Sequence, residues 1–257
     1  MATYNVGAFL SGHVFGFLLL LSRIGAVIML FPGIGESYVP PRTRMIFACL
    51  LSFLLLEPMM PRLPALPAAP AQLAVLVGYE IIIGLFFGTL MRLALSALES
   101  TGMIIGMQTG LSNATMLNPA LAVQSPLPSA FLATAALVLI FVTGVDHFLI
   151  HSIIGLYDAF PPGGPFMPGD MAQTVIHAVN QSFVVGIELS APFLIMGLLL
   201  YTSLGIMQRL LPQVQIFMLS MPVQIWGGLV MFLLTFSGIL LLWMRFFDQS
   251  ISTLFQS

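Results

Sequence analysis

Lysine is absent from this 257-residue chain, and charge of either sign is scarce. Seven arginines and nine acids make up the 6% of residues that carry charge, against 59% that are hydrophobic. A soluble domain carries about 25% charged residues, because charge keeps its surface in water. With a mean hydropathy of +1.06, this chain has too little polar surface to cover its own outside. That outside must meet lipid or other apolar helices, which argues against a cytosolic enzyme. The net charge of −2 offers no basic footprint for nucleic acid, so none is expected as a partner. A single cysteine, Cys49, has no second thiol in the chain to pair with and says little about compartment. The first apolar run has no basic residue ahead of it and no small-residue cleavage site after it, so a cleaved leader is not expected. Gly-rich phosphate loops, a G-x-S-x-G elbow and an aspartyl dyad are missing too. No catalytic residue and no cofactor is therefore assigned.

What is present is apolar sequence in about six segments, at about 9–31, 45–56, 72–107, 129–157, 171–211 and 222–247. They predict an all-α, integral-membrane chain, read as one helical domain over 1–257. A membrane-crossing helix needs about 20 apolar residues. The second segment is shorter than that; either it borrows residues from Thr43 and from Glu57 onward, or it is a half-helix. The third is too long for a hydrocarbon core of about 30 Å at about 1.5 Å per residue, so it must tilt, bend or project. Pro58, Pro61, Pro64, Pro67 and Pro70 recur at every third position, which suits a stiff polyproline II strap. Asp170 follows a Pro/Gly turn as a good helix N-cap, and Pro192 is placed to kink the fifth segment. That segment ends at Arg209, Pro212 and Gln213. A re-entrant or short hairpin at an entrance, touching a neighbouring component, is expected from Arg209 to Gln224. If every segment crosses once, Arg42, Arg44 and Arg209 share one side and Arg62 and Arg245 the other, a balance that does not fix orientation.

Several residues stand out against this background. Gly84 and Gly88 form one small-xxx-small pair, and Gly102, Gly106 and Gly110 a second ladder. Missing side chains allow close helix approach, which is how apolar helices associate in lipid. Arg23, Glu80, Arg92, Glu99 and Glu188 lie inside apolar stretches, where each would cost about 2.5–3.5 kcal/mol at a bilayer centre. They serve either a proton or ion relay or structural ion pairs between helices. Their spread over separate segments favours pairs. Arg92 and Glu99, seven apart with Ser96 between, fall on nearly one face and are expected to meet polar partners across helix interfaces. His147 and His151 have zinc-like i, i+4 spacing but lack a third ligand, so no metal is expected. Among seventeen methionines, Met103 and Met107 sit one turn apart ahead of a loop containing Met116. They are lipid-facing filler or a deformable seal around a passage.

Three stretches, taken in order, go beyond composition. The first is Arg23-Ile-Gly-Ala-Val-Ile-Met-Leu-Phe-Pro32, followed by Val39-Pro-Pro-Arg-Thr-Arg44. The second is Gly102-Met-Ile-Ile-Gly-Met-Gln-Thr-Gly110, ending in Asn118-Pro119. The third is Ala191-Pro192-Phe193, then Arg209-Leu-Leu-Pro-Gln213 and an apolar run to Gly227-Gly228. In this order and spacing they resemble the FliR/SctT family, the R-type subunit of the type III protein export gate. Gly144 to His147 resembles that family's Gly-His element. The resemblance covers nearly the whole chain. It implies a non-enzymatic subunit packed in a hetero-oligomeric gate with P-type and Q-type subunits and the B-type switch subunit. Unfolded export substrates would pass through this gate at the bacterial inner membrane, in the flagellar basal body. It also implies that apolar helices pack largely on sister subunits, with membrane lipid as a further neighbour. A plug loop maps onto about 107–123, with Met103, Met107, Gly110, Asn113, Met116, Leu117, Asn118 and Pro119 at the pore. Asn118 stands where the family often has an acid. The flagellar branch fits better than the injectisome branch. A secondary transporter would need internal repeats, which the halves do not show. An intramembrane hydrolase would need a catalytic constellation, and none is present.

Overall fold

The computed structural model describes residues 6–112, 126–164, 168–210 and 216–252, and among them the fold is all-α. Helix α1 is Val6–Leu30 and α2 is Pro41–Met59, continued by a 3-10 turn at Met60–Arg62. Helix α3 is Pro70–Gln108, α4 Leu127–Val142, α5 Val145–Ala159, α6 Pro168–Leu210 and α7 Ile216–Ser252. Five of the helical stretches are long and apolar enough to cross a membrane: Leu10–Leu30, Pro41–Arg62, Pro70–Gln108, Pro168–Leu210 and Ser220–Ser252.

Several boundaries differ from the expectation, each for a local reason. The second segment is no half-helix. Pro41 fits the first helical turn, where a missing N–H costs nothing, and the helix runs on through Pro58. The proline strap is correspondingly shorter. Pro58 lies in α2, Pro61 in the 3-10 turn, and Pro70 opens α3. The fourth segment is two helices. Gly144 adopts φ +75°, a left-handed conformation that only glycine enters cheaply, and α4 and α5 part there. Pro222 does not break the chain but sits within α7, so Gln224 belongs to a helix and not to an entrance hairpin.

The described residues divide into two compact units. One unit takes in residues up to Arg92, Phe141–Ala178 and the last turn from Ile251; the other takes in Leu93–Ile140 and Val179–Ser250. In the first, α1 packs on α2. A Cβ on Gly16 would stand 3.0 Å from both Met60 and Leu63. Leu19, Leu20, Ile24, Ile28, Ile83 and Phe87 are fully buried. The loop after α1 is held by Arg44, whose Nε donates to the Val39 carbonyl at 3.1 Å and whose Nη2 donates to the Glu36 carbonyl. In the second unit, Phe131, Phe193, Phe232 and Phe236 form an aromatic cluster, with Phe131 and Phe236 centroids 5.3 Å apart. The buried Trp243 indole donates to the Ala94 carbonyl at 2.9 Å. Among apolar neighbours, such contacts act through close packing and hydrogen bonds more than through water exclusion.

Candidate functional site

In the first unit the glycine pair on α3 decides what α1 can reach. A Cβ on Gly84 would stand 2.7 Å from the Ala26 Cβ and would also strike the Arg23 carbonyl. On Gly88 it would stand 2.8 Å from the Leu30 Cβ. The two helices therefore touch backbone to backbone, and the Arg23 side chain meets Glu80 one turn before Gly84. Both side chains are completely buried. Arg23 Nε donates to Glu80 Oε2 at 2.6 Å and Nη2 to Oε1 at 3.1 Å, a two-pronged pair. The remaining N–H groups do not go to waste. Nη1 donates to the Leu156 carbonyl at 3.2 Å and Nη2 to the Phe160 carbonyl at 2.9 Å. Those carbonyls belong to the C-terminal end of α5, where a helix lacks internal donors and welcomes positive charge. The Tyr157 ring covers the guanidinium, its centroid 4.0 Å from Cζ. Four partners on two elements, α3 and the end of α5, thus converge on one fully buried arginine of α1. Nearby, Arg62 meets Asp158 at 2.6 Å in an exposed pair.

In the second unit the second glycine ladder meets the start of α4. A Cβ on Gly102 would stand 2.5 Å from the Ser129 nitrogen and 2.9 Å from the Pro128 carbonyl carbon. Ser129 Oγ donates to the Glu99 carbonyl at 3.0 Å. A Cβ on Gly106 would lie 2.8 Å from Ser112 Oγ and 3.1 Å from the Pro126 Cβ. Ser112 and Pro126, the described residues on either side of 113–125, thus both stand against Gly106. The end of α3 is tied down beside them. Gln224 Nε2 donates to the Gln108 carbonyl at 2.9 Å and to the Tyr201 hydroxyl at 3.1 Å. Thr109 is fully buried against Gly228, and its hydroxyl donates to the Ile105 carbonyl at 2.8 Å. Gly110 then turns the chain at φ +76°. On α6, Gly186 receives α3 closely: a Cβ there would stand 3.1 Å from the Ala97 carbonyl oxygen, and Thr101 Oγ1 donates to the Gly186 carbonyl at 3.2 Å.

The other residues singled out by sequence are placed as follows. Arg92 is exposed rather than buried, and its Nη2 lies 3.9 Å from Glu36. Glu99 and Glu188 are exposed on this chain. Arg92, Glu99 and Glu188 are thus not buried charges among the described residues of the isolated chain. Met103 and Met107 are also exposed. Arg209 lies in the last turn of α6. Asn113, Met116, Leu117, Asn118 and Pro119 lie outside the described residues, as do Pro212 and Gln213. Sequence reasoning did not find the roles of Tyr157, Gln108, Tyr201 or Gln224. A lone glutamine in a charge-free run after Pro222 was the available signal for the last. Outside the apolar helices, partial burial and then the Glu36 carboxylate raise the Tyr38 phenol above its ordinary range.

The order of these features along the chain can be set against known proteins. Residues 14–250 match the family described as bacterial export proteins, family 1. The chain belongs to this family. Among similar members is the flagellar biosynthetic protein FliR of Caulobacter vibrioides, 33% identical over 225 residues, covering 88% of this chain and 90% of the relative. FliR of Escherichia coli is 30% identical over 210 residues, covering 81% and 79%. The Yop proteins translocation protein T of Yersinia pestis is 30% identical over 213 residues, covering 81% and 80%. The clamp and both glycine ladders fall within the residues that match this export family.

Proposed function

We propose that this chain is a structural, non-enzymatic subunit of a type III export gate, the R-type subunit, working in flagellum assembly. The observation that carries the reading is likeness to proteins named for flagellar biosynthesis, over 88% of this chain in one case. The gate would stand in the bacterial inner membrane, in the flagellar basal body. P-type and Q-type subunits would surround the chain, with the B-type switch subunit nearby and unfolded proteins as cargo. The loop over 107–123 would close the passage at rest. Its supports in this chain are the shared footing of Ser112 and Pro126 at Gly106 and the anchoring of Gln108 by Gln224.

The experiment is in-frame deletion of the gene in its host, with plasmid complementation. Expected results are loss of motility and of hook and filament proteins from the culture medium, both restored by the plasmid. A tagged chain is expected to co-purify with P-type and Q-type subunits. Normal flagellar export in the deletion strain, with loss of effector secretion instead, would move the chain to the injectisome branch.

A further inference from the structure

Apart from Arg209 and Arg245, which lie within two turns of helix ends, the second unit carries carboxylates and no cation. Between Leu93 and Ile140 its one charged residue is Glu99, and in α6 from Val179 to Gln208 it is Glu188. Both are exposed, and neither has an ion-pair partner among the described residues. Glu188 stands near the middle of the 43-residue α6. Helical period puts Val184, Glu188, Ile195, Leu199 and Ile206 on one face, and the four apolar members are all exposed. Helix α7 makes a contrast. Val223, Trp226, Val230, Leu233, Leu234 and Leu241 are exposed there, over a run with no charged residue between Ile216 and Met244. Such a face suits lipid; the face of α6 does not, because an ionised carboxylate amid apolar surface needs a cation beside it.

We infer that the Val184–Ile206 face of α6 docks an apolar helix of a different polypeptide, which carries an arginine or lysine directed at Glu188. This rests on the reading of the chain as one subunit of a multi-subunit gate and names the chemistry of a neighbour. Charge complementarity selects the occupant. A second copy of this chain has little to offer. Arg23 is sealed on Glu80, Arg44 is bonded within its own loop, Arg62 meets Asp158 and Arg92 faces Glu36. Arg42, Arg209 and Arg245 lie within two turns of helix ends and not amid an apolar face. An apolar helix with one embedded cation would cover the exposed isoleucine, leucine and valine side chains and neutralise the carboxylate together. It would also choose its register, since a shift of one turn separates the charges.

The test places photoreactive p-benzoylphenylalanine at Ile195, on the face of Glu188, in cells that hold the complete export apparatus. Adducts are located by mass spectrometry. The expected adduct lies on an apolar segment of another chain, with an arginine or lysine about two helical turns from the attachment, the separation of Ile195 from Glu188. Glu188→Arg is expected to lower the adduct yield roughly tenfold or more, and a change of the facing cation to glutamate to restore it. Glu188→Gln, nearly isosteric and safe for folding, is expected to lower the yield less than Glu188→Arg. Adducts only on lipid, only on a second copy of this chain, or on a segment without a cation would overturn the inference, as would unchanged yield in both variants. Co-purification of the wild-type chain with the P-type and Q-type subunits reports separately on the gate reading. If it persists while adducts form on lipid alone, only the docking inference fails.

Discussion

At the scale of single residues, the clearest case is Arg23. It satisfies Glu80 and two carbonyls at the end of α5 at once. Removing one member of such a pair strands a buried charge, at a cost of about 3–5 kcal/mol, while replacing both by apolar residues is far milder. Arg23→Met is therefore expected to lower the melting temperature of the purified assembly more than the double change Arg23→Met with Glu80→Leu. The swap Arg23→Glu with Glu80→Arg should not restore stability. It rebuilds an ion pair but leaves the α5 carbonyls facing a carboxylate. Full rescue by the swap would show that the charge pair alone matters. Gly102 gives a second residue-level prediction. Alanine there meets the Ser129 nitrogen and the Pro128 carbonyl carbon, both backbone, so neither can yield. Such overpacking costs about 1–3 kcal/mol. Gly102→Ala should reduce the amount of assembled complex in membranes, whereas Gly238→Ala, with open space around it, should not.

At the scale of elements, the boundary between α4 and α5 depends on backbone and not on packing. A Cβ on Gly144 meets nothing within 4 Å, yet its φ of +75° is left-handed. Gly144→Ala is expected to cost about 1–2 kcal/mol purely through that conformation, visible as faster protease cleavage between α4 and α5. Unchanged protection would mean that the turn relaxes. The other junction is the end of α3, where Gln224 ties the Gln108 carbonyl to Tyr201. Gln224→Leu leaves the Gln108 carbonyl and the Tyr201 hydroxyl without that donor, a loss of about 1–3 kcal/mol if both remain dry. Faster hydrogen exchange confined to residues 105–112 is the expected readout. Uniform exchange throughout the chain would point to global loosening instead.

At the scale of the whole molecule, more than half of the residues are hydrophobic and many large apolar side chains are exposed. A chain with so much uncovered apolar surface is expected to be unstable alone and to accumulate only with its partners. Expression with and without the P-type and Q-type subunits checks this; a monodisperse, stable monomer would argue against it. The seal belongs to the same scale. Deleting Gly110 to Val123, with assembly verified, is expected to raise small-ion leak through the membrane while protein export partly persists. An assembled deletion protein that leaks no more than wild type would rule this loop out as the main barrier.

What the sequence determined by itself follows from quantities that are local along the chain. The scarcity of charge required apolar helices, the order of motifs pointed to an export family, and Gly84, Gly88, Gly102 and Gly106 stood out as candidate points of close helix approach. Tertiary structure decided who meets whom. Arg23 and Glu80 are 57 residues apart, and no helical period connects residues on different helices. Arg92 and Glu99 share one face of a helix, but spacing does not say what each meets; Arg92 Nη2 lies 3.9 Å from Glu36 in a loop. The division at Gly144 escaped the apolar pattern because hydropathy is blind to the sign of φ. Pro58 and Pro222 likewise lie within helices, since one missing N–H can be absorbed when neighbouring turns continue the bonding. Composition and motif order are set residue by residue, whereas pairing depends on the approach of backbones that only the folded chain brings together.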